Sequence, residues 1–418
     1  MFPDECGIPG GNKCCGHGFV NTHFLETKNN LNKPGTLVNG CFMKITEVKT
    51  TTLFAPFKNA ISDAARSIAG RDVILIEVKT DEGLSGLGFL TGLGVAYGSE
   101  AKILSTIINE ALTPGLVGQD PFQIEKHWQH MFKNTTRFGR KGGALRAISG
   151  VDMALWDLMG KKAGLSVHRL LGGYTDKVLA YASGGFYTPN NEMGELVEEM
   201  QSYLSQGFKM LKVKVGRDVR LDARRVEAVR KGIGPDIPIL VDANESWNYL
   251  EAWDFIQRVR DLDIFWLEEP VAPDDLDGYS WLAARSPIPI AAGENEYSRF
   301  GFRDLIDSKA VHIVQPDVTR VGGISEWMKV AALAGTRNLN CIPHAVHEVH
   351  VSLCCAVSNS PYLEFYPKQQ YLQCFLSDLF IKPVEVQTVD PDGYVRAPQD
   401  PGLGLEINPD LVKKYQVG

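Results

Sequence analysis

Eight short apolar runs, each ending in polar or ionisable residues and separated by helical stretches, predict an α/β fold built on a closed (β/α) barrel of TIM type. A different, α+β pattern in front of them predicts an N-terminal capping domain. The length of 418 residues, more than one hydrophobic core usually spans, agrees with two domains. The third observation is chemical. Nearly every run delivers a carboxylate, ammonium or imidazole at its end, where such barrels gather their functional groups.

Residues 1–42 are rich in Gly, Asn and Pro and show no helical or strand period, so they read as a disordered extension. Cys14, Cys15 and His17 within it match no common zinc spacing. Met43 opens MKITEVKTTTLF, which alternates like a strand and starts the capping domain, set at 43–170. Strands are expected at 44–55 and 71–80, then a turn at Asp81-Glu82-Gly83, then helices near 97–113, 121–134 and 142–163. The barrel is set at 171–368. Its strand runs are 177–183, 208–216, 237–244, 263–270, 288–294, 311–318, 339–345 and 361–366. Amphipathic stretches lie between them, such as 248–261 behind a leading Asn248, and 323–337. Beyond residue 366 the chain turns irregular and hydrophilic, and 369–418 is expected to pack back on the capping domain.

Composition removes several function classes. A net charge of −7 argues against a nucleic-acid partner, whose phosphates need a basic surface. No apolar run is long enough to span a membrane, and no secretory h-region is visible, so the expectation is a cytoplasmic protein acting on a small molecule. Among the 8 cysteines, Cys341, Cys354, Cys355 and Cys374 sit among apolar residues and read as buried thiols.

The strand ends carry the chemistry. Asp242, Glu268 and Glu294 follow one another at intervals of 26 residues, which places three carboxylates on adjacent strand tips. Clustered carboxylates repel unless a cation sits between them, and oxygen-only ligands favour Mg²⁺, with Mn²⁺ second. Pairing with a nearby basic residue is the alternative, and Lys214 is the obvious local candidate. Lys212 and Lys214 stand at period two on one face of the second strand, where two cations are expected to depress each other's pKa and leave one neutral enough to act as a base. Asp317 and His344 end strands six and seven, an arrangement that holds one imidazole tautomer for acid/base work. Any one of these is ordinarily a solvated loop charge. Their accumulation on one rim is not.

These residues resemble a known pattern. KVK at 212–214, VDAN at 241–244, WLEEP at 266–270, GEN at 293–295, QPDVTRVGG at 315–323, and His344 followed by Glu364 are similar to the enolase superfamily, in its mandelate racemase subgroup. The resemblance runs from Met43 to about residue 415. It implies Mg²⁺ on Asp242, Glu268 and Glu294, and Lys214 as base on one face with Lys212 tuning it. It also implies the Asp317–His344 pair on the other face, and Glu364 hydrogen-bonded to the substrate carboxylate oxygen that gains charge. A homo-oligomer is also implied.

The common step would be removal of the proton next to a carboxylate. Relatives with both KxK and the His–Asp pair look like dehydratases of aldonates or aldarates, giving 2-keto-3-deoxy acids. A racemase or epimerase of a 2-hydroxy acid is the alternative. Cycloisomerases are set aside, because they would carry a Lys at the tip of strand six, where this chain has Asp317. Asn244, Lys58, Asn59 and Arg66 are the candidate substrate contacts. The last three lie in an expected loop at Phe54–Arg66, with a second expected loop at Phe89-Leu90-Thr91.

Overall fold

A computed structural model describes residues 42–93, 98–188 and 193–417, without the side chains of Asn59, Tyr371 and Val384. The N-terminal extension with Cys14, Cys15 and His17 lies outside the described residues. Strands β1 (Ile45–Ser62), β2 (Ser67–Thr80) and β3 (Ser85–Gly92) form an antiparallel sheet in that order. Gly83, at φ 78°, supplies the left-handed turn residue between β2 and β3. Helices α1 (Ser99–Thr106), α2 (Ile124–Thr135) and α3 (Gly143–Ala163) follow. The long α3 lies directly on the sheet backbone: a Cβ at Gly88 would sit 2.2 Å from the Gly150 carbonyl oxygen. Only glycine permits that approach.

Two expected loops are strands instead. β1 continues to Ser62, with a register shift between Pro56 and Ile61, so only residues 63–66 form the connection to β2. Phe89-Leu90-Thr91 lies within β3, and Phe89 and Leu90 are fully buried. Pairing along β2 overrides the weak local signals of Pro56 and the mixed polarity, as tertiary context commonly does in sheets.

Eight parallel strands then alternate with helices: β4 (Lys177–Gly184), β5 (Leu211–Lys214), β6 (Ile239–Asp242), β7 (Ile264–Glu268), β8 (Ile290–Ala292), β9 (Ile313–Val314), β10 (Asn340–Cys341) and β11 (Tyr362–Phe365). Their hydrogen-bonded order runs β10-β9-β8-β7-β6-β5-β4-β11, a TIM-type arrangement with its seam between β10 and β11. The Cys341 N–H crosses that seam to the Asn359 carbonyl at 2.8 Å. Period two decides what points inward. Tyr181, Met210, Leu240, Trp266, Ala291, Ile313, Ile342 and Tyr362 form one apolar layer across the barrel, with Tyr181 edge-on to Trp266 at 5.4 Å. Full burial of each large side chain contributes about 1.5–3 kcal/mol, so this layer is a floor rather than a pore.

The helices pack outside. Tyr249–Val259 begins at Asn248, whose Oδ1 accepts from Leu250 N–H (2.9 Å) and Glu251 N–H (3.1 Å), while Glu251 accepts from the Asn248 N–H at 3.0 Å. Such a capping box contributes about 1 kcal/mol and fixes where the helix starts. The last segment returns to the cap: Val417 N–H donates to the Thr52 carbonyl at 2.9 Å, and Phe380 meets Phe89 at 4.7 Å. Within it the reading of irregular chain needs correction, because Tyr371–Leu379 is a helix. Leu372, Phe375, Leu376 and Leu379 face the core, which turns Cys374 outward, so this thiol is exposed rather than buried. No helix of the described residues is long and apolar enough to cross a membrane.

Candidate active site

One step along each strand from the apolar floor, the inward positions turn polar. β5 supplies Lys212 and Lys214, β6 ends in Asp242, and β7 ends in Glu268. Glu294, Asp317 and His344 follow the ends of β8, β9 and β10, and β11 carries Glu364. All eight side chains are buried, from 0% exposure at Lys212, Asp242, Glu268 and Glu364 to 8% at His344. So many buried charges are tolerable only because they are paired. Lys212 Nζ lies 2.5 Å from Glu364, 2.7 Å from Glu268 and 3.3 Å from Asp242. Lys214 Nζ lies 2.5 Å from Asp242 Oδ2.

Across the mouth, His344 Nδ1 is 2.9 Å from Asp317 Oδ2, and His344 Nε2 is 3.1 Å from Glu294 Oε2. In the strand order β5 and β10 are separated by β6 to β9 on one side and by β4 and β11 on the other. Lys214 and His344 therefore approach from opposite walls. Between them Asp242, Glu268 and Glu294 each bring an oxygen within 4.8 Å of the others. This donor set fits a hard divalent cation. Burial, helped by the nearby Asp242 and Glu364 charges, pushes Glu268 up to about 7 despite Lys212. A carboxylate held that reluctantly ionised, beside two more, calls for further positive charge.

The electrostatics of the lysines differ from the sequence expectation. Burial works against both charges, but the carboxylates outweigh it. Asp242 holds Lys214 above the ordinary lysine range, and Glu268, Glu364 and Asp242 hold Lys212 well above it. Mutual repulsion of the two ammonium groups is the smaller effect here, since three anions surround them. Glu364 is correspondingly held down to about 2 against its burial, chiefly by Lys212, and its other oxygen accepts the Ala345 N–H at 2.7 Å. In this arrangement it is an acceptor. On the opposite wall, burial alone would lower His344, yet Glu294 and Asp317 raise it, while the hydrogen bond from His344 and the Arg320 charge depress Asp317.

Around these groups stand residues the sequence reading passed over. Arg320, one turn beyond Asp317, reaches back to Glu294 at 3.2 Å and lies 3.4 Å from Asp317. Gln315 donates to Glu268 Oε2 at 2.8 Å. Glu245 and Glu269 form a further acidic group with Glu294, bridged by the Asn295 amide. The signal for Gln315 was available in principle, since it precedes Asp317 by one strand period. The backbone here is strained: Asn244, Glu245, Glu269, Ala345 and Val346 have φ of 44°, 67°, 40°, 51° and 43°. Left-handed non-glycine residues cluster where a turn must aim side chains at a site.

The candidate substrate contacts divide. Asn244 is buried beside Asp242, with its Oδ1 unpartnered. Arg66 reaches the mouth but is already bound to Glu245 at 3.0 Å and near Asp63 at 3.5 Å. Lys58 is exposed and joins none of these groups. The Asn59 side chain lies outside the described residues.

Residues 43–172 match the family Mandelate racemase / muconate lactonizing enzyme, N-terminal domain, and residues 195–411 match Enolase C-terminal domain-like. The chain is 36% identical to the arabinonate dehydratase of Saccharolobus solfataricus, over 82% of this chain and 91% of that one. It is 33% identical to the D-galactarolactone cycloisomerase of Agrobacterium fabrum, over 90% and 99% respectively. The crystal structure of L-talarate dehydratase from Polaromonas sp. JS666, complexed with Mg and L-glucarate, superposes with a TM-score of 0.80 at 33% identity, covering 90% of this chain and 98% of that one. A cycloisomerase at this similarity keeps open the class that was set aside on the residue at the tip of strand six.

Proposed function

The chain belongs to the mandelate racemase subgroup of the enolase superfamily, and we propose that within it this protein is a Mg²⁺-dependent sugar acid dehydratase. The reaction would remove the proton next to a carboxylate and expel the neighbouring hydroxyl, giving a 2-keto-3-deoxy acid. The observation that supports this best is the opposition of Lys214 and His344 across one cluster of three carboxylates. Elimination of water needs both a base and an acid, and the two walls supply one each.

In this reading Asp242, Glu268 and Glu294 hold the ion. When bound, it would supply Lewis-acid stabilisation of the developing negative charge and take up the carboxylate charge that otherwise keeps Lys214 protonated. Lys214 receives the α-proton. Lys212, anchored between Glu268 and Glu364, stays cationic and faces the substrate carboxylate. Glu364 holds Lys212 and the Ala345 amide in place, and it donates to a substrate oxygen only after taking a proton itself. His344, kept in one tautomer by Asp317, gives its proton to the departing hydroxyl.

The test is a screen of the purified protein with Mg²⁺ against C4–C6 aldonic and aldaric acids, with 2-keto products trapped by semicarbazide. A keto product supports dehydration; none from any acid sinks it. A second reading has a specific support, the similarity to a galactarolactone cycloisomerase. Ring opening of a lactone could begin with the same proton removal, so the corresponding lactones belong in the same screen.

A further inference from the structure

Among the described residues, one cation at the mouth is left over without an ion pair. Arg71, near the start of β2 and opposite Ala55 of β1, is 7% exposed. Its Nε is buried without a hydrogen-bond partner, and among the described residues its guanidinium forms no ion pair. The groups that act on its charge belong mostly to the barrel: Tyr366 beyond β11, Glu348 in the turn-and-helix after His344, Asp317 and Arg320, joined by Arg146 of α3. Arg71 therefore reaches from the capping sheet into the same mouth as the candidate site.

The other arginines there each hold an anionic partner, although Arg146 too leaves its Nε without a hydrogen bond. Arg66 is bound to Glu245, Arg320 to Glu294 and Asp317, and Arg146 to Glu100 and the Thr91 carbonyl. Glu348, the acidic group nearest in kind to a counter-ion, forms no ion pair with Arg71 and spends one oxygen on Gln373 at 2.5 Å. Arg146 and Arg320 add positive charge around Arg71 rather than relieving it. Leaving a buried guanidinium unpaired is among the costliest arrangements in a protein, and arginine cannot escape by shedding its proton. Its planar fork of donors matches a carboxylate.

We propose that Arg71 binds the terminal carboxylate of a dicarboxylic sugar acid, at the far end from the carbon that loses its proton, which makes the substrate class aldarates rather than aldonates. The inference rests on the sugar acid reading above. An aldonate of the same configuration offers a neutral hydroxyl at that end, which leaves the guanidinium without its counter-charge. A site built around a polar group rejects a ligand lacking it more strongly than a simple pocket discriminates size.

The experiment compares kcat/KM for matched pairs, galactarate with galactonate and glucarate with gluconate, in wild type, Arg71→Met and Arg71→Lys with Mg²⁺. Wild type is expected to favour an aldarate by about 100-fold or more, and Arg71→Met to collapse that ratio by a similar factor. Arg71→Lys, which keeps the charge but loses the fork, should fall between, and it carries the test if Arg71→Met does not fold. Calorimetric binding of the same acids gives a readout independent of turnover. A wild type that prefers aldonates, or a ratio that Arg71 variants leave unchanged, overturns the Arg71 assignment while dehydration stands. A wild type that neither binds nor converts any of the four acids overturns the Arg71 assignment, and dehydration falls with it when no other C4–C6 acid gives a keto product.

Discussion

His344 Nδ1 lies 2.9 Å from Asp317 Oδ2, a contact between the ends of neighbouring strands that leaves His344 Nε2 facing the barrel mouth and Glu294. An imidazole so held keeps its proton-carrying nitrogen in one place. Asp317→Asn preserves shape but offers an amide where an anion stood. It should lower kcat by about 100-fold or more, in line with the weight of general acid/base catalysis, while thermal unfolding shifts little. Steady-state kinetics with circular dichroism would check this. Near-wild-type kcat would remove Asp317 from the machinery.

Glu268 probes the metal. It is buried, shares the centre with Asp242 and Glu294, and is pushed up to about 7. Glu268→Gln should weaken Mg²⁺ binding by about tenfold or more in calorimetric titration. Wild-type activity should vanish with a chelator and return with Mg²⁺. Mg²⁺ should also raise the melting temperature, since an ion at 100 times its Kd adds about 2.7 kcal/mol to the folded state. Activity that survives thorough chelation would contradict the carboxylate assignment.

His350 gives a pH prediction that does not involve catalysis. It is fully buried, its Nε2 accepts the Val318 N–H at 3.0 Å, and its Nδ1 donates to the Ala345 carbonyl at 2.7 Å. Burial depresses its pKa to about 4, below the value of 6.5 for a free side chain. The unfolded chain therefore takes up this proton first as pH falls. The stability associated with neutral His350 is complete above about pH 6.5 and is lost progressively between there and pH 4. His350→Gln should be destabilised at pH 7.5 yet lose less further stability than wild type on going to pH 5, measured by urea unfolding. A steeper acid dependence in the variant would contradict this.

The barrel floor makes a stability prediction. Trp266 is fully buried among Tyr181, Leu240 and Tyr362, and its indole N–H donates to Glu268 at 3.2 Å. Trp266→Ala should cost about 3–5 kcal/mol in urea unfolding, through the cavity it leaves. A cost under about 1 kcal/mol would mean that the floor repacks.

The barrel was legible because its signals are local and repeated. Period two predicts which residues of each run point inward, and a regular unit length brings Asp242, Glu268 and Glu294 to adjacent tips. What the sequence hides is reach across strands. Arg320 is one polar residue in a loop until its guanidinium is seen beside Glu294, one strand back. Arg71 reads as an ordinary strand residue, and only the docking of sheet on barrel shows it buried with its Nε unpartnered among the described residues. The charge environment of Lys212 and Lys214 was hidden for the same reason: adjacency along the strand is visible, whereas the carboxylates from β6, β7 and β11 are not. The extension of β1 to Ser62 follows from its pairing with β2, which no local pattern announced.

The most direct test of the account follows 2-keto acid formation from an active sugar acid by wild type, Lys214→Ala and His344→Asn, side by side with saturating Mg²⁺. The opposed base and acid predict a loss of about 10³-fold in kcat for each variant, with fold and Mg²⁺ affinity retained. Full turnover in either would contradict the placement of one catalytic group on each wall.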